Sequence, residues 1–306
     1  MIEDAARRNS GPIFIGGTGR SGTTALARLI GYHPRLFVLK WETQFIVAKD
    51  GVIDLVKKKY NADALERFGK QLKGPWFRRT LNAGKPNEYS AGLCDDLDAT
   101  EVDVALNLLR QRVEEGAAMV APFEVAREFI DQMFFPPTLR NKAVRWGEKT
   151  PRSLLYADYL YRIYPSMRFI HIIRDGRDVV SSMLEHGFWP IAPSREFPST
   201  LPFRGDMTFE KAVAYWKETL ALGRSIASRV PSGNYYEIKL ETLAENGESS
   251  LRSLMDFIGE PYDPRLLEYD FSRANIGRWQ DDLSEWQIDY FRRTAGEALK
   301  GSGYEL

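Results

Sequence analysis

Pro12-Ile13-Phe14-Ile15-Gly16-Gly17-Thr18-Gly19-Arg20-Ser21-Gly22-Thr23-Thr24-Ala25-Leu26-Ala27-Arg28-Leu29-Ile30 is the stretch on which the fold turns. Pro12 to Gly16 is a short apolar run, the pattern of a parallel strand buried on both faces. Gly16, Gly17 and Gly19 end it. Beyond them Leu26, Leu29 and Ile30 recur at helical spacing, and Gly31 and Pro34 close the segment. Strand, glycine loop and helix in this order set the loop at a helix N-terminus, where backbone N–H groups and the helix dipole favour an anion. A glycine turn without a ligand is the alternative; the presence of both flanking elements favours the anion site.

Two further units repeat the alternation. Tyr156 to Ile163 reads as helix, Arg168-Phe169-Ile170-His171-Ile172-Ile173 as strand and Asp178 to Leu184 as helix. Tyr235-Tyr236-Glu237-Ile238 is a third strand, followed by a helix from Ser249 to Ile258. Strands alternating with helices predict an α/β fold, a single doubly wound domain over 1–306 built on a central parallel sheet. From about 50 to 140 the pattern is mostly helical, clearest over Val102 to Val113 and Phe123 to Met133, and reads as an insertion covering the sheet and its active site. Residues 188–206 hold four prolines and little periodicity, the mark of a substrate loop. A last helix runs from about Ser284 to Leu299.

Lys plus Arg and Asp plus Glu each number 42, so net charge is zero and a nucleic-acid-coating protein is excluded. Hydrophobic residues at 43% and aromatics at 12% exclude disorder. No stretch approaches the roughly 18 uninterrupted apolar residues of a membrane span, and the first twelve residues hold no apolar signal core. The expected compartment is cytoplasmic, although a piece of a longer protein would read the same way. The single Cys94 excludes an intrachain disulfide and a Cys-rich zinc site.

A nucleotide-triphosphate loop needs Gly, four residues, Gly, Lys, then Ser or Thr. Gly17 and Gly22 have that separation, but Thr23 stands in the Lys position and the cation is Arg20, inside the loop. A guanidinium there can hold an anionic oxygen bidentately without magnesium. Gly17-x-Gly19-x-x-Gly22 also fits the bare dinucleotide glycine pattern, yet no acidic residue is evident at a second strand end.

After an apolar strand, Gly17-Thr18-Gly19-Arg20-Ser21-Gly22-Thr23-Thr24 resembles the phosphosulfate loop of sulfotransferases that use 3′-phosphoadenosine 5′-phosphosulfate (PAPS) and release adenosine 3′,5′-bisphosphate (PAP). The resemblance implies that Arg20, Ser21, Gly22, Thr23 and Thr24 bind the 5′-phosphosulfate. It also demands an Arg at a strand end and a Ser eight residues on for the 3′-phosphate, and Arg174 and Ser182 supply them. Arg177 and Asp178 read as a solvated helix start. Ile276-Gly277-Arg278-Trp279 is similar to the family's late basic loop, which makes Arg278 a 3′-phosphate ligand and Trp279 an aromatic wall. Where many relatives have Tyr-Glu-Asp-Leu this chain has Leu240-Glu241-Thr242-Leu243, so a tyrosine of the adenine pocket is missing.

Sulfuryl transfer needs a base for the acceptor proton and cations for the transferring and leaving oxygens. Glu42, in Lys40-Trp41-Glu42-Thr43, resembles the general-base glutamate of the tyrosylprotein, carbohydrate and related Golgi-type and bacterial branches. Lys149, in Trp146-Gly147-Glu148-Lys149-Thr150-Pro151, matches the branch's lysine near the sulfuryl group and bridging oxygen. Glu148 reads as its structural partner, His33 as a structural histidine in a His-Pro turn, and His186 as a surface histidine. The resemblance thus implies in-line transfer, with Glu42, Lys149 and Arg20 catalytic and no metal. A phosphate-loop kinase or NTPase and a non-catalytic nucleotide-binding module are the alternatives. A small-molecule, lipid, carbohydrate or peptide hydroxyl remains open as acceptor, as does a homodimer.

Overall fold

The computed structural model describes residues 11–78, 92–185 and 208–306. Ile13–Gly16 forms β1 and occupies the centre of an all-parallel sheet. Leu36–Val38 (β2), Arg145–Lys149 (β3), Arg168–Ile173 (β4) and Tyr235–Lys239 (β5) complete it in the order β2-β3-β1-β4-β5. β1 alternates as a doubly covered strand must. Ile13 and Ile15 enter one core with Leu26, Leu29 and Leu254, while Phe14 enters the other and meets Trp146 edge-on at 5.7 Å. Ile15 stands level with Lys149 of β3 and Ile170 of β4, so the carboxyl ends of three adjacent strands open on one place.

Helix α1 (Thr23–Ile30) follows β1 and buries the face predicted from its leucines. The insertion supplies α2 (Ala62–Lys73), α3 (Ala99–Glu114) and α4 (Pro122–Arg140), which share a core with Phe14 on one face of the sheet. After β4 come α5 (Gly176–Glu185) and α6 (Phe209–Ala227). α7 (Gly247–Ile258) packs with α1 on the opposite face, and α8 (Glu285–Lys300) joins the insertion side, starting at an N-capping Ser284. The doubly wound sheet expected from the sequence is therefore present. Two strands, β2 and β3, were not foreseen. The substrate loop expected at 188–206, and His186, lie outside the described residues.

Among the described residues no helix is long and apolar enough to cross a membrane.

Candidate active site

The loop after β1 is drawn tightly over β4. A side chain on Gly17 would come within 2.5 Å of the Ile172 carbonyl oxygen, so only glycine fits. The Gly17 N–H donates to the Pro151 carbonyl at 3.0 Å, and the Ser21 N–H to Thr18 at 3.1 Å. Gly22, at φ +95°, is the N-cap of α1; no side chain caps this helix and no acidic residue stands in its first turn. Its leading N–H groups are thus left for an anion. Arg20 adopts φ +68°, a conformation uncommon outside glycine. In it, Arg20 Nε donates to Ser182 Oγ at 2.9 Å, which ties the loop to α5.

Arg174 leaves the carboxyl edge of β4 and is only 6% exposed. One guanidinium nitrogen donates to the Asn275 carbonyl at 2.6 Å and another reaches the Arg20 carbonyl at 3.4 Å, while Nε is buried without a partner. Burial first, and then the charge of Arg174, hold the Arg20 guanidinium below its ordinary pKa. Two cations pressed together in this way favour an anion between them.

Glu42 faces the loop from the segment after β2. Its Oε1 accepts from Lys149 Nζ at 3.1 Å, with the lysine side chain 6% exposed and the glutamate 32%. Gln44 Nε2 donates to the other oxygen at 3.1 Å. The insertion seats this segment, since Phe45 packs edge-on against Phe129 at 6.1 Å and obliquely on Phe134. Beside Lys149, Glu148 is fully buried and accepts from Thr43 Oγ1 at 2.5 Å and Ser153 Oγ at 2.7 Å. Its role is structural, but its partners are these hydroxyls and not Lys149, which pairs with Glu42; through Thr43 it holds the residue next to Glu42.

Burial pushes the Glu148 carboxyl up to about 7 from 4.5, against the hydroxyls that favour its charge. The folded protein therefore binds this proton more tightly than the unfolded chain. The resulting stabilisation is full below about pH 4.5 and fades as pH rises through about 7. Glu148→Gln should remove that slope: urea denaturation at pH 5 and at pH 7.5 should show the variant gaining on the wild type at the higher pH. A stability difference independent of pH would contradict this.

The loop residues Arg20, Gly22, Thr23 and Thr24, with Glu42 and the pair Arg174 and Ser182, line one cleft of about 360 Å³. Lys149 joins them through Glu42. Ser21 does not reach the lining; its hydroxyl is buried under the loop beside Gly17. Nor does Arg278, whose guanidinium pairs with Glu185 at 2.7 Å and with Asp282. Among the described residues the insertion contributes nothing to this lining and backs the site from one face of the sheet.

Arg177 and Asp178 are not a solvated helix start. Asp178 is wholly buried and accepts the N–H groups of Gly277 at 2.8 Å and Trp279 at 3.0 Å, clamping the late loop. Arg177 lies 3.8 Å over the Trp279 ring and pairs with Asp175 at 2.7 Å. His33 is structural as expected: its ring accepts from the Arg35 N–H and meets the Pro261 carbonyl at 2.9 Å.

Sequence reasoning missed Arg28, Tyr269 and Arg273, which also line the cleft. Arg28 stands one helical turn after Thr24 on α1, whereas Tyr269 and Arg273 bear no spacing relation to the loop and only the folded chain brings them to it. It also missed what anchors the strap after β4. Glu241 accepts the Asp175 N–H at 2.9 Å and the Tyr304 hydroxyl at 2.8 Å. A larger cavity of about 530 Å³, between Gly11, Asp131, Trp146 and Tyr164, lies at the amino edge of the sheet and contains none of these groups.

A PAPS-type donor asks for a helix N-terminus and cations for one phosphorylated end, and a separate cation and hydroxyl for the other. The uncapped α1, the arginines and the partnerless Arg174 Nε fit that demand.

A family model described as the sulfotransferase family matches residues 12–264. The chain belongs to the sulfotransferase family, whose chemistry is sulfuryl transfer. It is 22% identical over 287 residues to protein-tyrosine sulfotransferase A of Caenorhabditis elegans, covering 92% of this chain and 60% of that protein. Over 325 residues it is 26% identical to omega-hydroxy-beta-dihydromenaquinone-9 sulfotransferase Stf3 of Mycobacterium bovis, covering 96% and 75%. The chain spans only 26% of an uncharacterised Aquifex aeolicus protein to which it is 22% identical. Among solved structures, the sulfotransferase domain of the Synechococcus PCC 7002 olefin synthase superposes with a TM-score of 0.53 at 15% identity, covering 96% of this chain and 95% of that one. That likeness concerns the fold.

Proposed function

We propose that the protein transfers the sulfuryl group of PAPS to a hydroxyl acceptor by in-line displacement, with Glu42 as general base. The observation that carries this reading is the Glu42–Lys149 pair, 3.1 Å apart, at the same cleft as Arg20, Arg174 and Ser182. PAPS supplies the activated sulfur. Glu42, the more exposed partner of the pair, takes the proton of the acceptor hydroxyl. Lys149 and Arg20 hold negative charge on the transferring and leaving oxygens, and the N-terminus of α1 adds fixed dipoles at no reorganisation cost. Arg174 and Ser182 hold the second phosphate, and Arg278 stands next to them in reserve behind its ion pairs. Tyr269, Arg28 and Arg273 extend the nucleotide wall where the expected tyrosine of the 240–243 segment is absent.

The worm and mycobacterial relatives are named for a peptide tyrosine and for a hydroxylated lipoquinone, and both acceptors belong to the range open to this chain. A thermal-shift panel separates a PAPS enzyme from a phosphate-loop kinase. PAP at a hundredfold excess over its Kd should stabilise the protein by about 2.7 kcal/mol, a rise in Tm of several degrees. ATP with magnesium should leave Tm unchanged, because Thr23 replaces the lysine that a triphosphate needs. The reverse pattern would overturn the assignment.

A further inference from the structure

Arg152 follows Pro151, which lines the cleft and whose carbonyl accepts the Gly17 N–H. It is half-buried, its Nε is fully enclosed, and among the described residues nothing accepts a hydrogen bond from that nitrogen or forms an ion pair with the guanidinium. Of the other arginines around the loop, Arg20 has Ser182, Arg174 has Asn275 and Asp178, Arg177 has Asp175 and Arg278 has Glu185, while Arg28 and Arg273 are exposed to solvent. Enclosing a guanidinium nitrogen with its hydrogen bond unmet costs stability, a cost that a ligand accepting that hydrogen bond would remove.

Its place in the fold says which ligand. The turn Pro151–Tyr156 packs against α6. On that helix the buried Tyr215 takes the Gly19 N–H of the phosphate loop, and its phenol lies within the fields of both Arg152 and Glu42. Arg152 thus follows a residue that lines the cleft with Glu42, and lies near the same phenol as Glu42, from whose side an acceptor hydroxyl must approach. Glu218, on the same helix face as Tyr215, keeps an enclosed oxygen without a partner among the described residues and forms no ion pair with Arg152.

We propose that Arg152 receives an anionic group of the acceptor, a carboxylate or a phosphate, so that the molecule sulfated at its hydroxyl already carries a negative charge. The inference rests on the sulfotransferase reading with Glu42 as base. A planar guanidinium meets two oxygens of either anion at once.

The test uses acceptor pairs that differ only in charge: 4-hydroxyphenylacetate and its amide, N-acetyltyrosine and its amide, glucuronate and glucuronamide. Each is titrated calorimetrically into protein saturated with PAP and then assayed for turnover with PAPS. In at least one pair the carboxylate should bind about tenfold more tightly than the amide. Arg152→Gln should erase that preference while PAP affinity stays within about twofold, and Arg152→Lys should restore part of it. Absence of a preference in every pair, or its survival in Arg152→Gln, overturns the proposal. If Arg152→Gln fails to fold, the wild-type preference and the Arg152→Lys variant still decide. Failure of the wild type to bind PAP is a different result: it overturns the donor assignment, and this inference with it.

Discussion

Glu42→Gln is expected to lower kcat by about 10²- to 10⁴-fold, the range for loss of a positioned base, while PAP binds with its affinity unchanged within about twofold. Glutamine keeps the shape and one oxygen for Lys149 but cannot take a proton at neutral pH. The nucleotide contacts proposed for the loop and for Arg174 involve no atom of Glu42, so binding and chemistry should separate. Single-turnover rates with PAPS and equilibrium titration with PAP are the two measurements. Unchanged turnover would remove Glu42 from the base role. A parallel loss of PAP affinity would make it part of the nucleotide wall instead.

Arg20→Gly should reduce kcat/KM by about 10²- to 10³-fold, as for removal of one preorganised charge-stabilising donor, without lowering the stability of the empty protein. The second half of this expectation follows from the backbone. Arg20 sits at φ +68°, where a side chain costs about 1 kcal/mol or more relative to glycine. It also bears the like charge of Arg174, which Glu185 and Glu42 only partly offset. Glycine relaxes both and loses the Ser182 hydrogen bond. Urea denaturation of the nucleotide-free variant should give a midpoint equal to or above that of the wild type. PAP should then stabilise the variant far less. A variant markedly less stable when empty would show that the strain is compensated locally and that Arg20 is structural.

The two largest effects fall on residues named from the sequence, and the reason lies in the local chemistry around them. β1, α1 and β4 were legible because their apolar runs are continuous and bounded by glycine or charge. The structure starts and ends α1 and β4 where those signals place them. β3 was not legible. Arg-Trp-Gly-Glu-Lys has a single large apolar residue, yet the strand is buried throughout. Each of its charges is satisfied from far away in the chain: Arg145 by the Gly11 and Ile258 carbonyls, Glu148 by Thr43, Lys149 by Glu42. Hydrophobic periodicity cannot register a strand whose burial is accounted for by such partners. β2, with three residues, is too short for any period to declare itself. Asp178 failed for the same reason as β3: an aspartate in the first turn of a helix is ordinarily solvated, and only the late loop buries it. Tyr269 and Arg273 reach the cleft by folding alone, with no motif around them. The zero net charge conceals a cleft in which, among the described residues, Arg20, Arg28, Arg174 and Arg273 face one carboxylate, Glu42.

The strand order has a consequence for the growing polypeptide. β1 is the first of the five strands to leave the ribosome and the central one in the finished sheet. Its neighbours are β3, which brings Gly147 to Ile13, and β4, which brings Arg168 to the same residue. β2, next in the chain, does not touch it. Until residues beyond Lys149 have been synthesised, Ile13, Phe14 and Ile15 have no strand on either side, and until Ile173 follows, the loop between β1 and α1 has no floor. Contacts of such sequence separation form late and slowly. Over that stretch of synthesis the apolar central strand is thus an open edge, the kind of segment that chaperones shield and that associates wrongly when they do not.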